Sequence, residues 1–292
     1  MKLTNKLGLP ESLVAAVSFS DRNREGCDYT ITELLLPPRQ ATLKRQHADK
    51  LEEDASERLW LLLGSAGHEV LRRAGKKLGL GIVEERAVVE LDGKKIGGQI
   101  DLAIQGDNTM TDFKFTSVWA VKLGAKVEWE QQLNCYRWLA HQYGVQIDQL
   151  QIIALLRDWS KPEARRNPEY PQAGVVVLDI EMWSMEVCQL FLSDRIEMHE
   201  AAKAELPECT AEDTWERPAK WAVMKDGGKR ATKVYDNQKD ADLHTMRLGP
   251  GFKTEFRPGE RPRCADYCVV SEHCTQFADW KANNETQPRT VS

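Results

Sequence analysis

The chain has 292 residues, of which 41% are hydrophobic and 29% charged, and its formal net charge is −5. That composition is typical of a soluble globular protein with one main domain and an addition, and it excludes an overall basic field. Neither a membrane-spanning apolar run nor the apolar core of a signal peptide is present, so we expect a cytoplasmic protein without structural disulfides.

The N-terminal part of the chain predicts loops, a short helix and then a long helix. Thr32 is a candidate cap for the short helix, and Pro37 ends it because the residue before a proline avoids helical angles. From about Ala48 to Leu78, apolar residues recur on one broad stripe, which predicts a long amphipathic helix. His68 lies within it among small residues that would let the helix approach a sheet closely.

Three strands are predicted next. Residues 82–91 form the first strand, and residues 97–115 read as two further strands joined by a tight turn at Gly106 and Asp107. With that turn, the residue numbers of every cross-strand pair add up to 213. Asp101 then lies opposite Asp112 on one face of the hairpin, and Lys114 follows on the same face.

The two opposed aspartates indicate a metal site. Carboxylates directly across a ladder stand about 5 Å apart and repel each other unless a cation lies between them. Mg²⁺ and Mn²⁺ accept carboxylate oxygens and keep positions open for water and phosphate. Asp101, Asp112 and Lys114 are therefore candidate catalytic residues, with Glu69 or Glu85 as a candidate further carboxylate; the alternative is an exposed hairpin with ordinary surface charges.

A helix over residues 128–143 and a buried strand over residues 150–157 complete the predicted core. Gln132 and Tyr136 are four residues apart and share a face of that helix. Lys122 and Lys126, in the connection before it, are predicted either to contact phosphate or to be solvated. A strand over 175–180, a helix over 182–204 and a ββαβ excursion of about 50 residues follow, the last too small for much core of its own.

The C-terminal cysteines have the spacing of a metal site. C-x3-C-x5-C in a cytoplasmic protein indicates metal ligation rather than disulfides. A fourth ligand is needed, and a cysteine just before the excursion would staple both ends of the small subdomain. Free thiols are the alternative. The four candidate ligands are Cys209, Cys264, Cys268 and Cys274.

In the order and spacing of its motifs, the chain resembles the PD-(D/E)XK nuclease superfamily. The branch is that of the RecB, AddB and Cas4-like exonucleases, including phage and prophage members, and the resemblance covers roughly residues 30–157 and the cysteine cluster. In order, the matching residues are His68, Asp101, Asp112, Lys114, Gln132 and Tyr136.

The resemblance implies an α/β restriction-endonuclease-like core, a mixed central sheet flanked by helices, that acts on DNA. It implies that His68, with the two aspartates and the Phe113 carbonyl, binds one or two Mg²⁺ or Mn²⁺ ions. Lys114 would orient water or stabilise charge, and Gln132 and Tyr136 would contact the DNA backbone or orient the strand. Related nucleases hold a [4Fe–4S] cluster with a distant cysteine where this chain has Pro37, so zinc is preferred here and the cluster is the alternative.

Three functions follow from the resemblance. The preferred one is a metal-dependent exonuclease that hydrolyses phosphodiester bonds at DNA ends in recombination or repair, in a bacterial or phage-infected cytoplasm. The others are a Cas4-like DNA-trimming factor with partner proteins, and a catalytically vestigial DNA-binding protein. A homo-oligomer or a recombination partner is compatible with each. The predicted divisions are an entry segment (1–47), the nuclease core with its flanking helix (48–208), the ββαβ subdomain closed by cysteines (209–280) and a disordered tail (281–292).

Overall fold

The structure is a computed structural model that describes residues 2–18, 26–104, 107–122 and 124–285. The chain forms two compact units. Unit 1 comprises Met1–Leu36 and Glu52–Ala204, and unit 2 comprises Pro37–Leu51 and Glu205–Ser292. None of the helices among the described residues is long and apolar enough to cross a membrane.

Unit 1 combines helices with a mixed β-sheet, one that has both parallel and antiparallel neighbours, as the sequence predicts. Six strands form the main sheet, and two short strands pair separately. The strands are β1 (Lys2–Thr4), β2 (Tyr29–Thr30), β3 (Glu52–Asp54), β4 (Gly81–Leu91), β5 (Lys94–Ile104), β6 (Thr109–Thr116), β7 (Gln149–Leu156) and β8 (Val175–Ile180).

In the main sheet, β5, β6, β7 and β8 are successive neighbours. β4 pairs along one edge of β5, and β2 and β6 pair with different parts of its other edge. β2 and β5 are parallel, as are β6 and β7, and the remaining neighbours are antiparallel. The predicted register is observed where β5 meets β6: Leu102 pairs with Thr111, Ala103 with Met110 and Ile104 with Thr109. Each pair adds up to 213, although residue 106 of the predicted turn, and residue 105 before it, lie outside the described residues.

Helices flank this sheet, and the helix–strand–strand–strand–helix–strand order is that predicted. The core includes Leu133, Leu139 and Ile152, all fully buried. The helices of unit 1 are α1 (Glu11–Ser18), α2 (Ile31–Leu34), α4 (Leu59–Leu78), α5 (Val118–Val121), α6 (Val127–Gln142), α7 (Lys161–Arg166) and α8 (Met185–Ala204), and α3 (Pro38–Gln46) belongs to unit 2.

Two details of the N-terminal prediction are wrong. Thr30, not Thr32, caps α2, because its side chain accepts the Glu33 N–H at 3.2 Å. The long helix begins at Leu59 rather than near 48, because β3 pairs with β1 and Asp54 then caps a single 3₁₀ turn. The apolar residues of the predicted stripe are buried before this helix, at Leu51 and Ala55, and are half-buried or exposed within it.

Unit 2 contains the predicted ββαβ excursion, whose three strands form an antiparallel sheet with the first strand in the middle. Residues 281–285, predicted to be disordered, are helical, and residues 286–292 lie outside the described residues. The elements are α9 (Ala211–Thr214), β9 (Lys220–Lys225), β10 (Ala231–Tyr235), α10 (Gln238–Leu248), β11 (Phe252–Arg257), a π-helical turn (Arg263–Tyr267), a 3₁₀ turn (Ser271–His273) and α11 (Thr275–Glu285).

Candidate active site

The two aspartates lie where β5 and β6 separate. The ladder between these strands ends at the pair Leu102–Thr111, immediately before Asp101 and Asp112. Beyond that point the Asp101 side chain replaces the ladder, because its Oδ2 accepts the backbone N–H of Phe113 at 3.0 Å. Where the backbone pairing ends, this hydrogen bond therefore holds Asp101 against the strand that carries Asp112.

Lys114 connects Asp112 to helix α6. Its ammonium nitrogen lies 2.6 Å from Asp112 Oδ2 and donates to Gln132 Oε1 at 2.8 Å. The Gln132 amide in turn donates to the Tyr136 hydroxyl at 2.9 Å. Tyr136 is only 5% exposed, so this pair orients Lys114 from behind rather than presenting the tyrosine to a ligand.

His68 approaches the same place from helix α4. Its Nδ1 lies 3.4 Å from Asp101 Oδ2, and its ring lies 5.6 Å from that of Phe115. The close approach of the helix depends on Gly67, where an added Cβ would stand 2.0 Å from the Phe115 ring. Phe115 of β6 thus contacts α4, whereas its neighbour Lys114 contacts α6.

Neither glutamate considered from the sequence joins this group. Glu69 forms ion pairs with Arg72 and Arg73 on the same helix, and these hydrogen bonds lower the pKa of its carboxyl to about 2. Glu85 lies opposite Ile100 in the ladder, so its side chain leaves the sheet on the face opposite to that of Asp101.

The Asp112 carboxylate has an unsatisfied oxygen. Oδ2 is buried and no donor reaches it with hydrogen-bond geometry; Lys114 is near enough for charge attraction but is poorly aligned. The Lys114 ammonium compensates part of the charge of this buried carboxylate, and the oxygen that lacks an aligned hydrogen-bond donor is available as a ligand for a divalent cation. The donor set therefore fits a hard divalent cation, although within the described residues no three His, Cys, Asp or Glu side chains are arranged to hold a metal as they stand.

The four C-terminal candidates come together in unit 2. Cys209, Cys264, Cys268 and Cys274 line one small cavity. Gln276 clamps Cys209 to the C-terminal segment, because its side chain accepts the Cys209 N–H and donates to the Cys209 carbonyl, both at 2.9 Å.

Burial raises the pKa of the Cys209 thiol to about 12 and that of Cys264 to about 11, and it also raises the pKa of Cys268. Nearby cysteines add to these shifts, since grouped thiolates repel one another. Such sulfurs ionise when a cation binds and releases their protons.

Arg39 is a residue of this cavity that the sequence did not indicate. Its guanidinium is 6% exposed, and Nε donates to Cys274 Sγ at 3.3 Å. The other nitrogens donate to the carbonyls of Leu206 and Pro207 and to the Thr275 hydroxyl. The only signal was its place after the two prolines of the entry segment. Cys27, the cysteine of the predicted entry segment, is not part of the cavity lining and accepts a hydrogen bond from Arg86 within unit 1.

Comparison with known proteins gives limited information. No protein-family profile matches the chain, and no curated protein does. A crystal structure of a protein called SSO0001 matches with 17% identity over 64% of this chain and 85% of that one, at a TM-score of 0.47. A protein named "Putative exonuclease" from Eubacterium rectale matches with 11% identity over 56% of this chain and 62% of that one, at a TM-score of 0.32. Both TM-scores are below 0.5, so these similarities decide neither fold nor activity.

Proposed function

We propose that the chain is a metal-dependent DNA nuclease of the restriction-endonuclease-like fold, and most simply an exonuclease. The observation that carries the proposal is the contact set around the end of the β5–β6 ladder. The six motif residues, together with the Phe113 amide, fall into two connected groups there. One joins His68, Asp101 and the Phe113 amide, and the other joins Asp112, Lys114, Gln132 and Tyr136.

Asp101, Asp112, His68 and the Phe113 carbonyl are the groups that would hold Mg²⁺ or Mn²⁺. A bound cation would polarise the phosphoryl group of DNA and lower the pKa of an attacking water. Asp112 contributes the unsatisfied oxygen, and the Phe113 amide holds the Asp101 carboxylate in place. His68 lies on the other side of Asp101 and limits its movement.

Lys114 stabilises negative charge or orients the water. Its side chain is 21% exposed, so it is accessible to a phosphate yet partly shielded from solvent. A preorganised cation in such a place acts on the charge that develops at the reacting phosphate. Gln132, supported by Tyr136, keeps the lysine pointed at the site.

The cysteine cavity of unit 2 has a structural role in this proposal. A zinc ion, or alternatively a [4Fe–4S] cluster, would join Cys209 to the three C-terminal cysteines once the side chains turn toward a common centre. Zinc-loaded protein would be colourless and cluster-loaded protein brown, so the absorption spectrum of freshly purified protein separates the two.

The test is cleavage of end-labelled linear DNA and of closed circular DNA, each with and without added Mg²⁺. We expect cleavage of the linear substrate only when the metal is present, and at least a hundredfold loss of rate in Lys114→Ala protein. Lys77→Ala, which removes an exposed lysine from the far end of α4, is the matched control. Full Mg²⁺-dependent activity in Lys114→Ala protein would refute the proposal, and cleavage of circles would replace exonuclease with endonuclease.

A further inference from the structure

Three cation–aromatic pairs lie on, or next to, elements that carry the proposed active site and have no part in the chemistry assigned to it. Arg157 covers the Trp60 ring at 4.4 Å, Lys122 lies 5.2 Å from the Trp119 ring, and Lys126 lies 5.5 Å from that of Trp129. Unit 1 contains all six residues.

Each pair lies close to an active-site element along the chain. Trp60 precedes His68 by eight residues on α4, which is about 12 Å of helix. Trp119 follows the end of β6 by three residues, and β6 carries Asp112 and Lys114. Trp129 precedes Gln132 by three residues, so the two are neighbours on one side of α6.

The first two pairs are joined through the backbone at the ends of β6 and β7. The Arg157 N–H donates to the Thr116 carbonyl at 2.9 Å, and the Val118 N–H donates to the Asp158 carboxylate at 2.7 Å. Trp119 and Arg157 are therefore the chain neighbours of Val118 and Asp158, whose hydrogen bond links these two segments. The Asp158 carboxylate, which is next to Arg157 in the sequence, accepts that hydrogen bond.

The exposure and charge of these residues are those of a nucleic-acid surface. Trp60 and Trp119 are 59% and 75% exposed, although large aromatic residues are normally buried. Among the described residues, no carboxylate lies within salt-bridge distance of Arg157, Lys122 or Lys126. Cations without a carboxylate partner, next to exposed indole rings, match the phosphates and bases of a single strand, whose bases are free to stack.

We infer that this surface binds the unpaired end of a DNA strand and feeds it to the active site, an inference that rests on the proposed function. Bases stack on Trp60 and Trp119, and Arg157, Lys122 and Lys126 contact the phosphates. The 12 Å from Trp60 to His68 corresponds to roughly three or four stacked nucleotides at 3.4 Å each. A duplex cannot use the indole faces, because its bases are already stacked.

The test is binding of a labelled single-stranded oligonucleotide and of a blunt duplex, measured by fluorescence anisotropy without added Mg²⁺ or Mn²⁺. Trp60→Ala or Trp119→Ala should each weaken single-strand binding about tenfold and leave duplex binding within about twofold. Trp119→Phe should retain most of the affinity, and Lys122→Ala should reduce the salt slope by about 0.7. Lys77→Ala and Leu78→Ala, at the exposed far end of α4, are the controls.

Unchanged single-strand affinity in both tryptophan variants would overturn the inference, as would equal losses for both DNAs. So would conversion of a dimer into a monomer with DNA affinity unchanged, since the surface would then be a protein interface. The outcomes are separable from those of the cleavage test. A protein that cleaves nothing yet shows the expected binding pattern refutes the nuclease alone, and an active nuclease with tryptophan-independent binding refutes only this surface.

Discussion

The active-site region of unit 1 and the cysteine cavity of unit 2 hold their functional side chains in different ways. In unit 1, a continuous sheet with a large core places Asp112 and Lys114, and a hydrogen bond to Gln132 then orients Lys114. In unit 2, four cysteines surround a cavity whose buried apolar neighbours are Leu43, Leu51 and Val270. The difference leads us to predict that unit 1 folds without a bound ion, whereas the stability of unit 2 depends on metal binding at its cysteines.

Loss of the structural metal should have the largest effect. Replacing Cys264 and Cys268 together by serine should destabilise unit 2 by several kcal/mol, because metal binding supplies much of the folding energy of a domain with a small core. Hydrogen exchange should then become rapid over residues 205–285 and stay slow over β6 and β7. Cys27→Ser, in unit 1, is the control. Slow exchange in both units of the double variant would contradict the comparison.

The second-largest effect is expected when a side chain is added at Gly67. Gly67→Ala forces a methyl group into the Phe115 ring, which should lower the free energy of unfolding by about 1–3 kcal/mol and displace His68. Gly64→Ala on the same helix meets nothing within 4 Å and should be neutral or stabilising. Urea unfolding of both variants measures the difference. Equal stability of the two would show that α4 does not depend on its close approach to β6.

Removing the support of Lys114 should reduce catalysis without reducing binding. Gln132→Ala should lower kcat about tenfold, or about 1.4 kcal/mol, because the lysine loses an oriented acceptor. Tyr136→Phe should have a smaller effect, and Gln131→Ala is the control on the same helix. Steady-state kinetics on linear DNA separate the two parameters. A change confined to KM would instead indicate that Gln132 contacts DNA.

The smallest effect is expected at Glu200, on α8. Hydrogen bonds from Lys203 and then from Tyr29 lower the pKa of this carboxyl to about 2. As the pH falls, the unfolded state therefore takes up this proton before the folded state does. The contribution of Glu200 to the free energy of unfolding is present above pH 4.5 and is lost as the pH falls toward 2. Glu200→Gln should cost about 1 kcal/mol or less at pH 7 after solvent screening. Urea unfolding at pH 7 and pH 3.5 should show the gap to wild type narrowing; a gap that widens would contradict the assignment.

Local patterns in the sequence predicted much of the fold. Alternation and turn residues determined the three strands and the register in which paired residues add up to 213, because a strand pair joined by a tight turn can align in few ways. The same local signals defined the ββαβ excursion. They failed at the start of α4, because pairing of β3 with β1 is a contact between distant segments and overrides the apolar stripe.

For the candidate site, the sequence by itself determined which residue types recur at which spacing, from His68 to Tyr136. Only the tertiary structure decided how they act on one another. It ended the ladder beside Asp101, left an Asp112 oxygen without an aligned donor, and buried Tyr136 behind Gln132. It also brought the Arg39 guanidinium within hydrogen-bond distance of the Cys274 sulfur. The Arg39–Cys274 contact joins residues far apart in the chain, and the other contacts depend on how helices pack on a sheet, which spacing alone does not specify.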